Sequence, residues 1–300
     1  FKEKVVDPWI AAYGEATTPN PCFNCNRSIR FGFLMQRALA LGADFLATGH
    51  YARIAVAEQK GGGSAPRSET DAPIARYRLL KGMDTKKDQS YVLHVLGQRD
   101  LARTMFPCGD FTKQQVREMA RRFGLPTAER AESQDLCFLT EGDYRGFLLR
   151  QAPGIATPGP ILNTRGEVIG RHEGLPFYTI GQRRGLNIAP QSAHAEALYV
   201  LKLDPARNAL IVGPADELGV RQITVRRMHY VSDAAPEGPL RCSAKVRYKA
   251  REAACVLIPL PDGGAQFVFD EAQRDATPGQ GLVAYDGDEV IGGGVIARDV

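Results

Sequence analysis

The sequence predicts an α/β domain followed by mainly-β modules, and three observations carry that reading. Around residues 31–51 an apolar period of helical spacing gives way to a short apolar run, Asp44-Phe45-Leu46-Ala47-Thr48, that stops at Gly49-His50-Tyr51. Helix, strand and glycine-led loop in that order are the α/β pattern. Beyond about residue 150 hairpin patterns replace the helical ones, and from about residue 220 to Val300 short alternating runs between turns suggest a small barrel.

The 300 residues leave room for two or three domains with a sizeable core. A hydrophobic share of 44% and a charged share of 24% match ordinary globular chains and argue against disorder. No apolar run is long enough to span a bilayer, and no export signal opens the chain. Six cysteines are too sparse for a disulfide scaffold and read as reduced, cytosolic thiols. The net charge of +4 is modest, so its distribution matters more than its size.

Phe1-Lys2-Glu3-Lys4-Val5-Val6-Asp7 reads as the end of one element, as though the natural N-terminus lay further upstream. Thr17-Thr18-Pro19-Asn20-Pro21-Cys22-Phe23-Asn24-Cys25 is predicted as a loop, because proline fixes φ and removes a backbone donor. Cys22 and Cys25 would then stand just before a helix start, where the dipole favours thiolate. That placement suits sulfur chemistry or a metal, and a structural half-site for zinc or two idle thiols explain it as well. The helix that follows should bury Phe31, Leu34, Met35, Ala38 and Leu41 and stop at Gly42. The run at 44–48 should be a buried strand, with ligands gathering at its carboxyl end near Gly49 and His50. Gly49 admits a close backbone approach or simply a turn; His50 contacts a substrate or serves as a structural hydrogen bonder.

Ala57 to Pro73 is rich in glycine, serine and proline and reads as a flexible hairpin tip between strands at 51–56 and 76–80. Lys86 and Lys87 precede a helix carrying Val92, Leu93, Val95 and Leu96, which suits a phosphate backbone or a solvated cap. Thr112 should cap another helix with Val116, Met119, Ala120 and Phe123 on one face, ended by Gly124 and Pro126. Cys137 lies on a polar loop that can return to the sheet edge holding Cys22 and Cys25. Cys108 looks like filler, and Cys242 and Cys255 read as buried hydrophobes in alternating strands. Residues 159–170 form one predicted hairpin and 198–213 another, with Tyr178 to Leu186 dense in glycine and arginine between them. Arg221 to Arg251 holds eight basic residues against Asp233 and Glu237, the footprint of a phosphate-bearing partner or of a solvated face.

Several strings then carry a family resemblance: Thr18-Pro19-Asn20-Pro21 with Cys25-Asn26-Arg27 and Ile29-Arg30-Phe31; Ala47 to Arg53; Lys87-Asp88-Gln89-Ser90-Tyr91; Cys137; and Tyr178 to Arg183. Thr277-Pro278-Gly279-Gln280, Tyr285-Asp286-Gly287 and Gly292-Gly293-Gly294 close the series. Across the whole chain they resemble the bacterial tRNA-specific 2-thiouridylases. The resemblance implies a PP-loop ATPase-like domain with a Rossmann-like parallel sheet over 1–140, a small mainly-β central domain over 141–217 and a tRNA-contacting β-barrel over 218–300. It implies ATP-dependent 2-thiolation of the wobble uridine of tRNA, with ATP as its Mg²⁺ complex. A persulfide on Cys137 would supply the sulfur and Cys25 would attack it to form a transient disulfide. Asn20, Pro21 and Cys22 would meet the base, Gly49 would contact ATP, and His50, Lys87, Asp88, Gln89, Arg247, Tyr248 and Gln280 would contact tRNA. A persulfide-donating sulfur-relay protein would feed a monomeric, cytoplasmic enzyme that needs no membrane.

Two departures from the family pattern leave alternatives open. The phosphate-binding Ser-Gly-Gly-x-Asp-Ser loop is not found in the 300 residues, so this stretch alone should bind ATP poorly and not turn over. Cys22 stands where most relatives carry aspartate, and with Cys25 and Cys137 it would make a three-thiol site able to hold a [4Fe–4S] cluster instead. Two rivals of other classes are a non-catalytic RNA-binding protein with a structural zinc and a thiol–disulfide oxidoreductase. The first does not explain the strings around Gly49 and Lys87, and the second needs no basic module.

Overall fold

The computed structural model describes residues 1–57, 76–129, 136–139, 143–188, 196–274 and 276–298. The predicted hairpin tip at 57–73 lies almost wholly outside these residues, but its flanks behave as expected. Ala52–Ala57 and Arg76–Lys81 pair antiparallel, from Ala52 opposite Lys81 to Ala57 opposite Arg76. The parallel element is short: Leu46–Ala47 runs alongside Thr104–Met105. It is not the buried strand expected, since Phe45 is 51% exposed and Ala47 is exposed too. A two-stranded ribbon has two open edges, and no further strand among the described residues covers it.

The barrel forms as predicted. Six strands close on themselves: Val220–Tyr230, Leu240–Lys245, Ala253–Pro259, Ala265–Gln273, Gly281–Asp286 and Glu289–Ile296, with the last two pairing with each other to complete the ring. Alternation puts Ile223, Val225, Leu257, Phe267 and Leu282 inside, all fully buried. Cys242 and Cys255 face each other across two of these strands as buried apolar side chains, Sγ to Sγ 3.6 Å. Between the helical part and the barrel, Gly159–Leu162 pairs with Val168–His172 and Tyr199–Asp204 pairs with Ala209–Gly213, as the two predicted hairpins. A parallel contact of Ile161 with Leu210 joins them into one four-stranded sheet.

The helix around the cysteines departs from expectation in an informative way. It begins at Pro21, upstream of both thiols, and runs on through Ala40. Proline is well tolerated in the first turn, where its missing N–H has no helical partner to lose. Asn20 supplies the cap, its Oδ1 accepting from Cys22 N–H at 3.0 Å. Residues Cys25–Leu34 are π-helical, which slips the register of everything downstream. Phe31 and Met35 are therefore buried as predicted, while Leu34 and Leu41 face solvent. Gly42 ends the helix with φ of +90°, a conformation that suits glycine. The later helix Lys113–Arg122 has the expected Thr112 cap and capping box with Gln115, but its apolar face is only half-buried and Phe123 is 72% exposed.

Thr18 ties the three parts together just before the cysteine helix. Its backbone N–H donates to Pro278 O (2.9 Å), its carbonyl accepts from Gln280 Nε2 (2.9 Å), and its hydroxyl meets Thr179 Oγ1 at 3.3 Å. Phe23 then packs against Tyr91 and His94, and a Cβ placed on Gly281 would come within 2.4 Å of its ring. The approach of barrel to helix at this point requires glycine. Among the described residues no helix is long and apolar enough to cross a membrane.

Candidate active site

A cavity of about 370 Å³ opens on the first turns of the cysteine helix. Cys22, Cys25, Asn26 and Arg30 form one wall; His50, Gln89 and Val92 form a second; Leu136, Cys137 and Phe138 come from a distant loop to form the third. The structure thus brings Cys137 to the same cavity as the Cys-x-x-Cys pair. Cys137 is held there by its neighbour: the Phe138 ring packs on Trp9 (5.3 Å between centroids) and Phe147 (5.7 Å). Trp9 itself is 1% exposed, and its position in the helix Asp7–Gly14 anchors this aromatic cluster.

The pocket does not favour thiolate at rest, contrary to the sequence expectation. Burial raises the Cys22 thiol above its usual range, and the neighbouring Cys25 and Cys137 raise it further. Burial also raises Cys25, with the Arg30 guanidinium pulling in the opposite direction. Desolvation and the mutual repulsion of clustered thiols therefore outweigh the helix dipole. Among the described residues no three His, Cys, Asp or Glu side chains come together closely enough to hold a metal ion. The described residues, as placed, therefore do not fit an iron–sulfur cluster or a structural zinc.

His50 is buried at 4% exposure and fully engaged. Arg30 Nη1 stands 2.8 Å from His50 Nε2, and Thr48 Oγ1 stands 2.8 Å from Nδ1. A guanidinium has no acceptor, so Nε2 must accept and Nδ1–H must donate to Thr48. The ring is neutral in that state. Burial, then Arg30, pushes its pKa down to about 4, and burial pushes His94 down to about 3. A histidine with a depressed folded pKa stabilises fully above its unfolded value near 6.5 and loses that contribution as pH falls toward the folded value. The thermal midpoint should therefore drop between pH 6.5 and about 4, and His50→Asn should flatten that slope. A midpoint insensitive to pH across that window would contradict the assignment of His50 as neutral.

The remaining predicted residues divide between cavity and rim. Gln89 lines the cavity, and its Oε1 accepts from Tyr51 N–H at 3.1 Å. Asn20 caps the helix and Pro21 lines the cavity. Gly49 lies exposed beside it with open space around its Cα, so a ligand can approach the backbone closely. ATP would fit such an approach. Asp88 faces inward: its carboxylate accepts from Gly82 N–H, Ser90 N–H and Ser90 Oγ and lies 3.8 Å from Lys245 Nζ. Tyr248 is 39% exposed, and its ring lies tilted against Tyr91 at 5.9 Å between centroids. Arg247 reaches Thr277 Oγ1 at 3.3 Å, and Gln280 is turned to Thr18 rather than outward. Of the eight barrel cations, Arg241 pairs with Asp270 and Lys245 with Glu252, so the basic face is smaller than the sequence count. Sequence reasoning assigned no role to Arg30, Trp9 or Phe138.

The fold is thus an α/β domain whose cavity gathers three thiols, followed by two β modules. The domain family described as tRNA methyl transferase HUP domain matches residues 1–141, the tRNA methyl transferase PRC-barrel domain matches 145–214, and the aminomethyltransferase beta-barrel domain matches 220–296. The chain is 49% identical over 296 residues to the tRNA-specific 2-thiouridylase MnmA of Moorella thermoacetica, covering 99% of this chain and 78% of that protein. It is 48% identical over 299 residues to the protein of the same name from Roseiflexus castenholzii, covering 100% and 80%. A third, from Pelotomaculum thermopropionicum, is 46% identical over 296 residues, covering 99% and 76%. The chain belongs to the tRNA-specific 2-thiouridylase family.

Proposed function

We propose that the protein is a tRNA-uridine 2-sulfurtransferase that replaces the 2-oxygen of the wobble uridine with sulfur at the expense of ATP. The observation that carries this reading is the convergence of Cys22, Cys25 and Cys137 on one cavity from separate parts of the chain. A ring carbonyl oxygen leaves poorly, so ATP, as its Mg²⁺ complex, first adenylates it and releases pyrophosphate. The terminal sulfur of a persulfide on Cys137 attacks carbon 2 and AMP departs. The Cys25 thiolate then attacks the Cys137 sulfur, forming a Cys25–Cys137 disulfide, and the electron pair of the broken S–S bond stays with the sulfur on the uridine. A cellular dithiol reduces the disulfide, and a sulfur-relay protein restores the persulfide.

The anticodon loop is single-stranded, so its uridine can be splayed into a cavity at modest cost. Asn20, Pro21 and Cys22 receive the base, Gly49 meets ATP, and Lys87, Gln89, Arg247 and Tyr248 with His50 line its approach. Asp88 and Gln280 serve that surface by holding Ser90 and Thr18. The protein acts as a cytoplasmic monomer, divided at 1–140, 141–217 and 218–300. The domain descriptions name a methyl transferase and the relatives a thiouridylase. The three thiols favour sulfur, since a methyl group carried on one cysteine would leave the others without a role. The test is the mass of wobble nucleosides in tRNA from cells lacking the gene. The 2-thio form should vanish and return when the complete gene is restored; its persistence in the deletion strain would overturn the proposal.

A further inference from the structure

We propose that Arg30 is the positioning residue of the sulfur pocket: its guanidinium steadies the Cys25 sulfur as the anion required for transfer and locks His50 beside it as a neutral acceptor. This rests on the sulfurtransferase reading, which assigns Arg30 nothing. The argument begins with the backbone. In an α-helix of about 3.6 residues per turn, positions i and i+5 point to different faces. The π-helical stretch Cys25–Leu34 bonds i to i+5 instead, which brings Arg30 round to the face that carries Cys25.

Both side chains line the same cavity, and the Arg30 guanidinium lies near enough to pull the Cys25 thiol down against the larger effect of burial. The same group donates from Nη1 to His50 Nε2 at 2.8 Å, while Thr48 fixes the other ring nitrogen. Arg30 is thereby held on one side by a buried ring and turned toward sulfur on the other. Among the described residues, the other titratable groups facing this cavity are Cys22, Cys137, His50 and the Phe1 amino group. Cys137 opposes ionisation of Cys25 and His50 is neutral, so among the described residues lining the cavity Arg30 is the side-chain cation. Burial alone would keep Cys25 protonated. A nearby guanidinium offsets that cost, and its planar fork can serve sulfur and imidazole together.

The test is the pH dependence of iodoacetamide labelling at Cys25 in the complete protein, resolved from Cys22 by fragment-ion mass spectrometry, beside tRNA thiolation. Arg30→Gln should move the Cys25 labelling midpoint up by about one pH unit, slowing labelling about tenfold at a fixed pH below it. Thiolation should fall in kcat more than in KM for tRNA. Arg30→Lys, which keeps the charge, should recover most of the midpoint and only part of kcat, because the fork to His50 is lost. Arg30 is exposed at the cavity wall, so neither change should unfold the protein. An unchanged midpoint in Arg30→Gln would overturn the inference. Absence of thiolation by the wild-type protein would instead sink the functional reading, and the labelling profile would still decide the role of Arg30.

Discussion

Cys137→Ser and Cys25→Ser are each expected to lower tRNA thiolation by roughly 10³-fold or more, because an alkoxide neither carries a transferable sulfur nor attacks one at neutral pH. The two variants should fail in different ways. Cys137 is an exposed thiol of the cavity and the persulfide carrier of the proposed reaction, so Cys137→Ser should show no added sulfur in its intact mass after incubation with a persulfide donor. Cys25→Ser should load that extra sulfur on Cys137 and retain it, since the thiol that releases it is gone. Cys22→Ser should be milder, because it leaves both redox partners in place. Equal and complete loss of sulfur loading in all three variants would contradict this division of labour. Cys242→Ser, remote in the barrel core, serves as the control.

Trp9→Ala should cost about 3–5 kcal/mol of stability, the range for truncating a large buried aromatic. Trp9 is almost wholly enclosed and contacts the rings of Tyr13, Phe138 and Phe147. That cost is a large fraction of the stability of an ordinary domain. The same change should release the Phe138 anchor and with it Cys137. Phe138→Ala separates the two effects, because Phe138 is only half-buried. It should lower the thermal midpoint less than Trp9→Ala while slowing sulfur transfer from Cys137. A Phe138→Ala variant with wild-type transfer rates would show that the loop holds Cys137 by other means.

The hairpins and barrel were legible because their signals are local. Alternation with turn residues such as Asp204-Pro205-Ala206-Arg207-Asn208 dictates a strand pair whatever lies around it. The meeting of Cys137 with Cys22 and Cys25 was legible as a consequence of α/β layering, in which loops return to one sheet edge. The helix start was misread because proline was taken as a breaker. At Pro21, with Asn20 in front of it, proline opens a helix, and the thiols ride on its first turns. The solvent exposure of Leu34 and Leu41 was not legible at all. A period of 3.6 is the only helical template a sequence pattern offers, and a π-helical stretch silently shifts it. Arg30 was invisible for the same reason, since its five-residue spacing from Cys25 has no meaning on an α-helix. Asp88 and Gln280 illustrate a further limit: each also satisfies backbone or side-chain partners within the chain that no local pattern reveals.

The central claim is that Cys25 and Cys137 work on one another across a shared cavity. Mild oxidation of the complete protein in solution, followed by non-reducing peptide mapping, tests it most directly. The account predicts a Cys25–Cys137 disulfide as the dominant product, formed faster than any pairing of Cys108 and abolished by Cys137→Ser. A product in which Cys137 pairs at random between molecules while Cys22 joins Cys25 would contradict it.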